Sequence, residues 1–315
     1  MKRISILIPV HNEEKIIQET LEHLKKYYSQ YPFVEILIGD DGSTDKSAEI
    51  IKEYKFVRYI KLQNRGGKPA VLESLFPLAK GDLIMIHDAD WKFIYKEKGF
   101  LEMLSWFDDP KLGGIADSYS GVYNEERVAK NQSLGFLADA WTSQFRIEFQ
   151  KKYCTKRIDG VLYIDLERMH FPFFMNIFRK SLVDQAYTLG DDIERTLQIL
   201  RKGYLVRVVE DEKYPHVEIL EQECSLNDLF KQKVRTHFAR KQVKEGYQYQ
   251  PTLFKFWLPF YGYMLMNLYR VKRAKALIAL VLFQGIMIGS WFRTLFMSTK
   301  KVSTKEAWQM RLERK

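Results

Sequence analysis

Four short clusters of polar residues in the first third of the chain carry side chains able to hold a phosphate or a metal ion. They are HNEE from His11, DDGSTD from Asp40, NRGGK from Asn64 and DAD from Asp88. In the last cluster, Asp88 and Asp90 could share a hard cation with a diphosphate, because Mg²⁺ favours carboxylate and phosphate oxygens. In the third, two glycines before Lys68 let the backbone come close to an anion that the lysine would attract.

Taken one at a time, these clusters also have a purely structural interpretation. Asp, Gly and Ser at the junction of a strand and a helix form turns and N-caps, and carboxylates at a strand end are common turn formers. Neither the P-loop pattern GxxxxGK[ST] nor the dinucleotide pattern GxGxxG occurs, which argues against a kinase-like or NAD-dependent protein. The histidines His11, His87 and His170 are isolated and form no HExxH, which excludes a zincin site.

The elements that must position these clusters alternate between strand and helix. Apolar runs at 4–10, 34–40, 57–62 and 82–87 predict strands, and helical spacing predicts helices over 13–28 and 44–54. Such alternation predicts βαβ units and a mostly parallel sheet. Because each polar cluster follows a strand, we expect all four at the edge formed by the carboxyl ends of the strands, where such sheets bind ligands.

A further acidic pair starts a helix in the second half of the chain. Asp191 and Asp192 begin a run with helical spacing, which has Lys202 in its last turn and Gly203 as a C-cap. Acidic residues in the first turn of a helix are also favoured by the helix dipole alone. Between residues 130 and 170 the aromatic and charged residues show no firm period, so the sequence predicts no element there.

The net charge of +10 is concentrated in the C-terminal part of the chain. Residues 226–315 contain 18 Lys and Arg against 4 Asp and Glu, whereas the first 225 residues contain 32 against 36. A basic, aromatic region suits an anionic lipid surface or a nucleic acid. The chain is globular in composition, with 46% apolar and 29% charged residues. Two cysteines exclude a disulfide scaffold and favour a reducing compartment.

Two apolar segments, 253–269 and 276–292, indicate contact with a membrane. The first contains Lys255, Pro259 and several Tyr and Trp residues, which is typical of the lipid headgroup region. Because the connector RVKRAK is basic, we expect it on the cytoplasmic side, with the first segment interfacial and the second spanning once or re-entrant. A soluble helical hairpin packed on the body of the protein, or in a dimer, is the alternative.

The order of the motifs PVHNEE, DDGSTD, NRGGK, DAD and GDD (190–192) resembles that of the inverting glycosyltransferase family 2, over about residues 1–240. The resemblance implies an α/β chain with the GT-A fold, a Rossmann-like domain for nucleotide-diphospho-sugar transfer. Its sheet would be mostly parallel with flanking helices, followed by C-terminal interfacial or membrane helices. The expected division is a catalytic domain (1–225), a basic interface-helix region (226–250), an apolar membrane-associated hairpin (251–297) and a basic tail (298–315).

The same resemblance assigns roles to individual residues. The nucleotide-sugar would be bound by Pro9, His11, Glu13, Asp40, Asp41, Lys68, Asp88, Ala89 and Arg179. Asp88 and Asp90 would hold Mg²⁺ or Mn²⁺. Asp192 aligns with the catalytic base, with Asp191 beside it. An acceptor hydroxyl is a poor nucleophile, and a carboxylate that accepts its proton lowers the barrier to transfer.

A later segment resembles the QxxRW motif of membrane-bound family members. Gln232 and Arg235 match it and would face the acceptor or the diphosphate, but Thr236 stands at the Trp position. This departure weakens an inference of processive polymer synthesis and leaves that of a lipid-linked acceptor.

The resemblance, together with the basic and apolar C-terminal region, thus implies an inverting transferase that moves sugar from a UDP- or GDP-sugar to a lipid-linked or polysaccharide acceptor. The site of action would be the cytoplasmic face of a membrane with an anionic surface. A polyprenyl-phosphate sugar synthase, whose phosphate acceptor needs no base, is the main alternative. A nucleotidyltransferase and a nucleic-acid-binding protein are more distant ones. No nucleic-acid partner is expected, because no RRM, KH or zinc-finger pattern accompanies the basic region.

Overall fold

The computed structural model describes residues 2–63, 65–89, 91–94, 96–117, 133–168, 174–184, 189–211, 213–219, 224–249 and 253–297. Three of the predicted features, Asn64, Asp90 and the basic tail 298–315, lie outside the described residues. The strands are β1 Ile4–Val10, β2 Val34–Asp40, β3 Arg58–Lys61, β4 Leu83–Ile86, β5 Trp91–Ile94, β6 Leu112–Asp117, β7 Thr155–Ile158, β8 Val161–Ile164, β9 Phe174–Arg179, β10 Leu205–Val209 and β11 His216–Ile219.

Nine of these described strands form one sheet in the order β3-β2-β1-β4-β9-β6-β10-β8-β7. Strands β3, β2, β1 and β4 are parallel neighbours, and β6 is parallel to β10. Only β8 and β9 run against the other seven strands of the described sheet. The prediction of a mostly parallel sheet is therefore confirmed. Strands β5 and β11 pair separately as an antiparallel ribbon.

Nine helices of the described chain flank the sheet or follow it. They are α1 Ile17–Tyr28, α2 Ser47–Lys52, α3 Lys68–Leu75, α4 Glu97–Ser105, α5 Leu134–Tyr153, α6 Asp191–Arg201, α7 Leu226–Tyr247, α8 Leu258–Met266 and α9 Ala274–Leu295. The first two begin three or four residues later than the sequence predicted. The residues between each strand and its helix instead make the loop contacts described below. Helix α6 is followed by Gly203 at φ +82°, as expected for a C-cap glycine.

Both faces of the sheet are covered, which is why its inner strands read as continuous apolar runs. On one face, Ile6 of β1 packs with Leu21 of α1. On the other, Leu7 packs with Val71 and Leu75 of α3. Alternate residues of one strand thus enter two separate cores. The sheet is thereby held rigidly, with the carboxyl ends of β1, β2 and β4 at one edge.

Helix α5 occupies the region for which the sequence predicted no element. It begins at Ser133, whose hydroxyl caps the helix by accepting the Phe136 amide. Four of its neighbouring residues, Phe136, Leu137, Ala138 and Ala140, are all buried. A helix buried on several sides has no single apolar stripe, so its period is hidden in the sequence.

Helix α9 packs along α5 and α7. A stripe of its residues is buried between them: Ala276, Ala279, Leu280, Phe283, Met287, Ser290 and Thr294. The hydroxyl of Ser290 lies 3.0 Å from Nδ1 of His237 on α7. Just after the end of α9, the carbonyl of Met297 accepts a hydrogen bond from Lys241 Nζ of α7 at 2.7 Å. The apolar C-terminal helix is therefore fixed laterally to the body of the protein over its length.

The opposite stripe of α9 is apolar and exposed: Leu277, Ile278, Val281, Leu282, Ile288, Trp291, Phe292 and Leu295. Within the described chain, α9 alone has the length and apolar composition to cross a bilayer. The basic connector before it is held to α5, because the guanidinium of Arg270 donates to both carboxylate oxygens of Glu148, at 2.6 and 2.8 Å. An exposed apolar stripe thus lies next to a basic segment.

Candidate active site

The loops that follow β1 and β2 are held together by hydrogen bonds from the HNEE cluster to the DDGSTD cluster and to Ser47, the first residue of α2. The bonds run from the backbone N–H of Asn12 to Ser43 Oγ (3.1 Å), of Glu13 to Ser47 Oγ (2.8 Å) and of Glu14 to Asp45 Oδ2 (3.0 Å). Asn12 adopts a left-handed conformation at φ 56°, which asparagine tolerates better than most residues. Two clusters about thirty residues apart in sequence therefore form one surface.

Asp40 and Asp41 are buried and hold neighbouring segments in place. Asp40 accepts the Ser43 N–H at 2.7 Å and the hydroxyl of Tyr59 at 2.6 Å. Asp41 accepts the backbone N–H groups of Gly66 (2.7 Å) and Gly67 (2.8 Å). The second aspartate therefore ties the DDGSTD loop to the glycine loop that precedes α3. Both carboxylates therefore stabilise the loops at the rim of the predicted nucleoside pocket.

Charged side chains from three elements alternate in sign across the site. Lys68, the first residue of α3, lies 2.7 Å from Asp88 Oδ1 after β4 and 3.9 Å from Asp191 Oδ2 at the start of α6. Arg195, one turn further along α6, lies 2.5 Å from the same oxygen of Asp191. The fold thus brings the NRGGK, DAD and GDD clusters together in the order Asp88, Lys68, Asp191, Arg195.

These neighbours control ionisation in the buried part of the site. Burial opposes a charge on Lys68, but Asp191 and Asp88 outweigh it and raise the pKa of the lysine. Burial also opposes a charge on Asp191, but Lys68 and Arg195 outweigh it and lower the pKa of this carboxyl. Asp191 is therefore a permanent anion at neutral pH and is unsuited to accept a proton.

Asp192 differs from its neighbour. Burial and then the adjacent charge of Asp191 raise the pKa of Asp192. Its Oδ1 accepts the backbone N–H of Ile193 at 2.8 Å. A carboxylate with a raised pKa is a stronger base than an ordinary aspartate. The pair thus divides into a fixed anion, Asp191, and a carboxylate, Asp192, whose raised pKa makes it the better suited of the two to accept a proton.

The other predicted donor residues fall into two groups. Pro9, His11 and Glu13 lie at the end of β1 or just after it, and Ala89 follows β4, where its carbonyl accepts the Thr20 hydroxyl at 2.6 Å. All four are at the carboxyl edge of the sheet. Arg179 is at the opposite edge, because its antiparallel strand β9 pairs it with Leu83 at the start of β4.

The guanidinium of Arg179 is used there in packing. It donates to the backbone carbonyls of Leu112 (2.7 Å), Phe107 (2.6 Å) and Asp109 (2.8 Å). The expectation that Arg179 faces a substrate phosphate is therefore wrong. The segment matched the expected motif in sequence, but the direction of β9 carries this residue away from the site.

Gln232 and Arg235 both lie on α7. They precede Arg240 by eight and five residues, which is about 12 and 8 Å along a helix. Arg240 is the α7 residue whose charge acts on Asp192. The QxxRW-like segment is thus on the helix that reaches the start of α6, but the charge that interacts with Asp192 belongs to a residue that the motif does not include.

Sequence reasoning missed Tyr59, Arg195 and Arg240. A signal was available for Arg195, because an Asp and an Arg four residues apart on a helix are neighbours. Nothing in the sequence distinguished Arg240 from the many basic residues around it. Tyr59 was hidden inside a strand, and only the sheet register brings it beside Asp40.

A divalent metal is compatible with the residues around Asp88. Among the described residues, no three His, Cys, Asp or Glu side chains form a metal cage. Mg²⁺ and Mn²⁺ at nucleotide sites need only one or two carboxylates, because the phosphates complete the coordination. The Asp88 side chain is 24% exposed at the strand end and already holds the ammonium group of Lys68. Its surroundings therefore accommodate a cation.

Comparison with known proteins gives consistent results. The family model for glycosyl transferase family 2 matches residues 5–185. "Probable glycosyltransferase YdaM" of Bacillus subtilis is 27% identical over 216 residues, 66% of this chain and 49% of that protein. "Beta-monoglucosyldiacylglycerol synthase" of Nostoc is 29% identical over 150 residues, 45% of this chain and 32% of that protein. The chain thus spans half or less of the length of these relatives.

One solved structure also resembles the whole chain. It is the mannosyltransferase PcManGT from Pyrobaculum calidifontis in complex with GDP-Man and Mn²⁺, with a TM-score of 0.53 at 17% identity. The alignment covers 98% of this chain and 86% of that one, and it confirms the GT-A fold. Since the family model spans more than half of the sequence and the fold agrees with it, the chain belongs to glycosyl transferase family 2.

Proposed function

We propose that the protein transfers a sugar with inversion from a UDP- or GDP-sugar to a lipid-linked or polysaccharide acceptor at a membrane. The observation that carries this proposal is Asp192. It follows Asp191 at the start of α6, and Asp191 lies 3.9 Å from Lys68, which pairs with Asp88 at the edge of the sheet where the loops of β1, β2 and β4 converge. Burial also raises the pKa of Asp192.

In the proposed reaction, the acceptor oxygen attacks C1 of the sugar from the face opposite the diphosphate. The bond from this oxygen to C1 forms as the bond from C1 to the diphosphate oxygen breaks. The acceptor proton passes to Asp192, and the nucleoside diphosphate leaves with the bonding electron pair. Asp191 stays ionised, and its charge strengthens Asp192 as a base.

Asp88 and Asp90 would hold Mg²⁺ or Mn²⁺, which would neutralise charge on the departing diphosphate. Lys68 already bridges Asp88 and Asp191. It would add a second positive charge next to the leaving group. The glycine loop before it is held by Asp41, so the backbone near the phosphates is fixed before the donor binds.

The acceptor class is supported by the relatives. The Nostoc relative is named for the synthesis of a glucosylated diacylglycerol, a lipid, and a poly-β-1,6-N-acetyl-D-glucosamine synthase of Staphylococcus epidermidis, 33% identical over 115 residues, is named for the synthesis of a polysaccharide. The second of these matches spans 36% of this chain and 27% of that protein. Both names are compatible with work at a membrane.

The membrane contact would be the exposed stripe of α9. Because α9 is packed along α5 and α7, it would lie flat in the lipid headgroup region, with Trp291 and Phe292 inserted. The basic connector, with Lys272 and Arg273, would contact anionic headgroups on the cytoplasmic side.

The donor is tested by titrating the purified protein with UDP, GDP, ADP and CMP, each with and without Mn²⁺. Binding of one nucleoside diphosphate that tightens with metal, and loses this gain in Asp90→Ala, would support the proposed donor site. If folded protein bound none of the four, the donor assignment would be wrong.

The base is tested with Asp192→Asn. With a hydroxyl acceptor, transfer should fall by about 100-fold or more while donor binding stays intact. Asp159→Asn is the matched control, because Asp159 is an exposed residue at a hairpin turn with φ 48°, a conformation that suits asparagine. Full transfer by Asp192→Asn to a hydroxyl acceptor would remove Asp192 as the base.

A further inference from the structure

The first turn of α6, which carries Asp191 and Asp192, begins at a glycine. Gly190 stands at the N-cap position, and glycine has no side chain that could accept a backbone N–H. The first N–H groups of a helix have no acceptors within the helix and take them from elsewhere. Here the N–H of Ile193 donates to Oδ1 of Asp192 at 2.8 Å. The direction of the Asp192 carboxylate therefore depends on where this turn begins.

A glutamine of α7 holds the chain just before this turn. Oε1 of Gln242 accepts the backbone N–H of Leu189 at 3.0 Å. Leu189 is half-buried and directly precedes Gly190, which is buried. Because the hydrogen bond joins residues 53 positions apart, it fixes the N-terminal end of α6 to a separate helix.

Helix α7 continues along α6 beyond this bond. Val243, next in sequence, packs in the same core as Ile193. One turn further, the hydroxyl of Tyr247 donates to Glu194 at 2.6 Å and accepts a hydrogen bond from Nε2 of Gln198 at 3.0 Å. Gln242 therefore lies on the face of α7 that runs along α6.

The part of α7 that carries Gln242 is itself held by α9. Lys241 Nζ donates to the carbonyl of Met297 at 2.7 Å, and Nδ1 of His237 lies 3.0 Å from the hydroxyl of Ser290. A side chain can position another group closely only if it is itself supported in this way. The α7 helix is therefore a firm support for the start of α6.

We propose that Gln242 is a positioning residue for the proposed base, Asp192. It fixes the chain at Leu189 and thereby sets where α6 begins and how the Asp192 carboxylate is directed. This inference rests on the proposed transferase function. It adds to that function a residue that lies outside the acidic motifs and outside the QxxRW-like segment.

The rate of transfer should be sensitive to this position. A base must lie within hydrogen-bond reach of the acceptor oxygen while that oxygen attacks C1 of the sugar. A misplacement of about 1 Å can lower a rate by about 100-fold. The donor-side loops have their own hydrogen bonds, from Asp41 to the glycine loop and from Ser47 to Glu13. Loss of the Gln242 bond should therefore lower kcat more than it weakens donor binding.

The test compares Gln242→Met with Gln242→Glu. Methionine has a similar length but only a weak acceptor, whereas glutamate keeps an oxygen that can accept the Leu189 N–H. Gln242→Met should lower kcat by about 10- to 100-fold, with the donor KM changed by no more than about twofold. Gln242→Glu should keep most of the kcat at a pH where its rate no longer rises. Unchanged kcat in Gln242→Met, or equal losses in both variants, would overturn the proposal.

Gln198→Met is the matched control. Oε1 of Gln198 accepts the backbone N–H of Asp184 at 2.8 Å, so this variant removes the same kind of bond further from Asp192 along the chain. Both methionine variants should unfold at lower urea concentration than the original protein, but only Gln242→Met should lose kcat when folded. If kcat fell equally in the two, Gln242 would contribute to stability alone.

Amide hydrogen exchange tests the position of the turn without any sugar transfer. In Gln242→Met, the amides of residues 189–194 should exchange about tenfold faster than in the original protein and in Gln198→Met. Unchanged exchange there would overturn the proposal whatever the activity. Absence of transfer by the unmodified protein would instead count against the proposed function, because the exchange rates do not depend on it.

Discussion

Replacing Arg195 with glutamine should destabilise the protein by about 3 kcal/mol at neutral pH, the lower end of the range for breaking a buried ion pair. The side chains of Arg195 and Asp191 are 4% and 8% exposed, and their charged atoms are 2.5 Å apart. Glutamine keeps much of the packing but removes the charge. Lys68 remains 3.9 Å from Asp191, which is why the lower end of the range applies.

The loss should depend on pH in a defined direction. In the folded protein Lys68 and Arg195 lower the pKa of Asp191, against the effect of burial, to below its ordinary value of 3.8. The stability from this interaction is therefore fully present above pH 3.8 and disappears as the pH falls through the lowered pKa. The difference in unfolding free energy between the original protein and Arg195→Gln should shrink over the same interval.

The assay is urea unfolding of both proteins at neutral pH and at a series of acidic pH values. Arg157→Gln is the control, because Arg157 forms a similarly short ion pair with Glu210, 2.7 Å apart, with the arginine side chain 57% exposed. Exposed pairs contribute little to stability, so this variant should unfold close to the original.

The pH dependence of sugar transfer should also change in Arg195→Gln. Arg195 lowers the pKa of Asp192, so its removal should raise that pKa further. A base must be deprotonated to act, and the acid limb of the plot of kcat/KM against pH should therefore move to higher pH. Two results together would refute this reasoning: Arg195→Gln would be as stable as Arg157→Gln, and the acid limb of the pH profile of Arg195→Gln would not move. The alternating charges would then determine neither the stability of the site nor the pKa of Asp192.

Three other substitutions test parts of the site and of its support. Tyr59→Phe removes the hydroxyl that donates to buried Asp40 and should lower the unfolding free energy by about 1–3 kcal/mol in chemical denaturation. Gly67→Ala places a side chain at φ +83°, where strain of about 1–3 kcal/mol should appear in the same assay, together with weaker donor binding. Burial lowers the pKa of His237 to about 3 from 6.5. Stability should therefore fall by up to about 1.4 kcal/mol per pH unit below 6.5, and His237→Gln should lose this dependence if it is due to that residue.

The position of the proposed donor-side residues at one edge of the sheet could be predicted from the sequence. His11, Asp40, Lys68 and Asp88 each follow a strand or precede a helix with a clear period. Parallel strands carry whatever follows them to the same edge. Because this rule depends only on strand direction, it needs no knowledge of side-chain packing. It failed for Arg179, since the antiparallel direction of β9 was not visible in the sequence.

The surroundings of Asp192 could not be predicted in the same way. Helix α5 lacks a periodic stripe because it is buried on several sides, so its packing against α7 was not predicted. Arg240 is one of 18 basic residues after position 225. What singles it out is the packing of α7 against α6, and that packing depends on contacts between residues about fifty positions apart, such as Tyr247 and Glu194.

The hydrogen bonds that lock the loops after β1 and β2 also have a consequence for evolution and engineering. These loops, the glycine loop and Asp88 contain most of the proposed donor-side groups and lie within the first ninety residues, whereas the proposed base, Asp192, lies at the start of α6. The residues proposed for donor binding and those proposed for the acceptor side are thus encoded by separate parts of the gene. Recombination between relatives at a point after β4 could exchange the sugar donor while keeping the acceptor, provided that the contacts of β4 with β9 are matched.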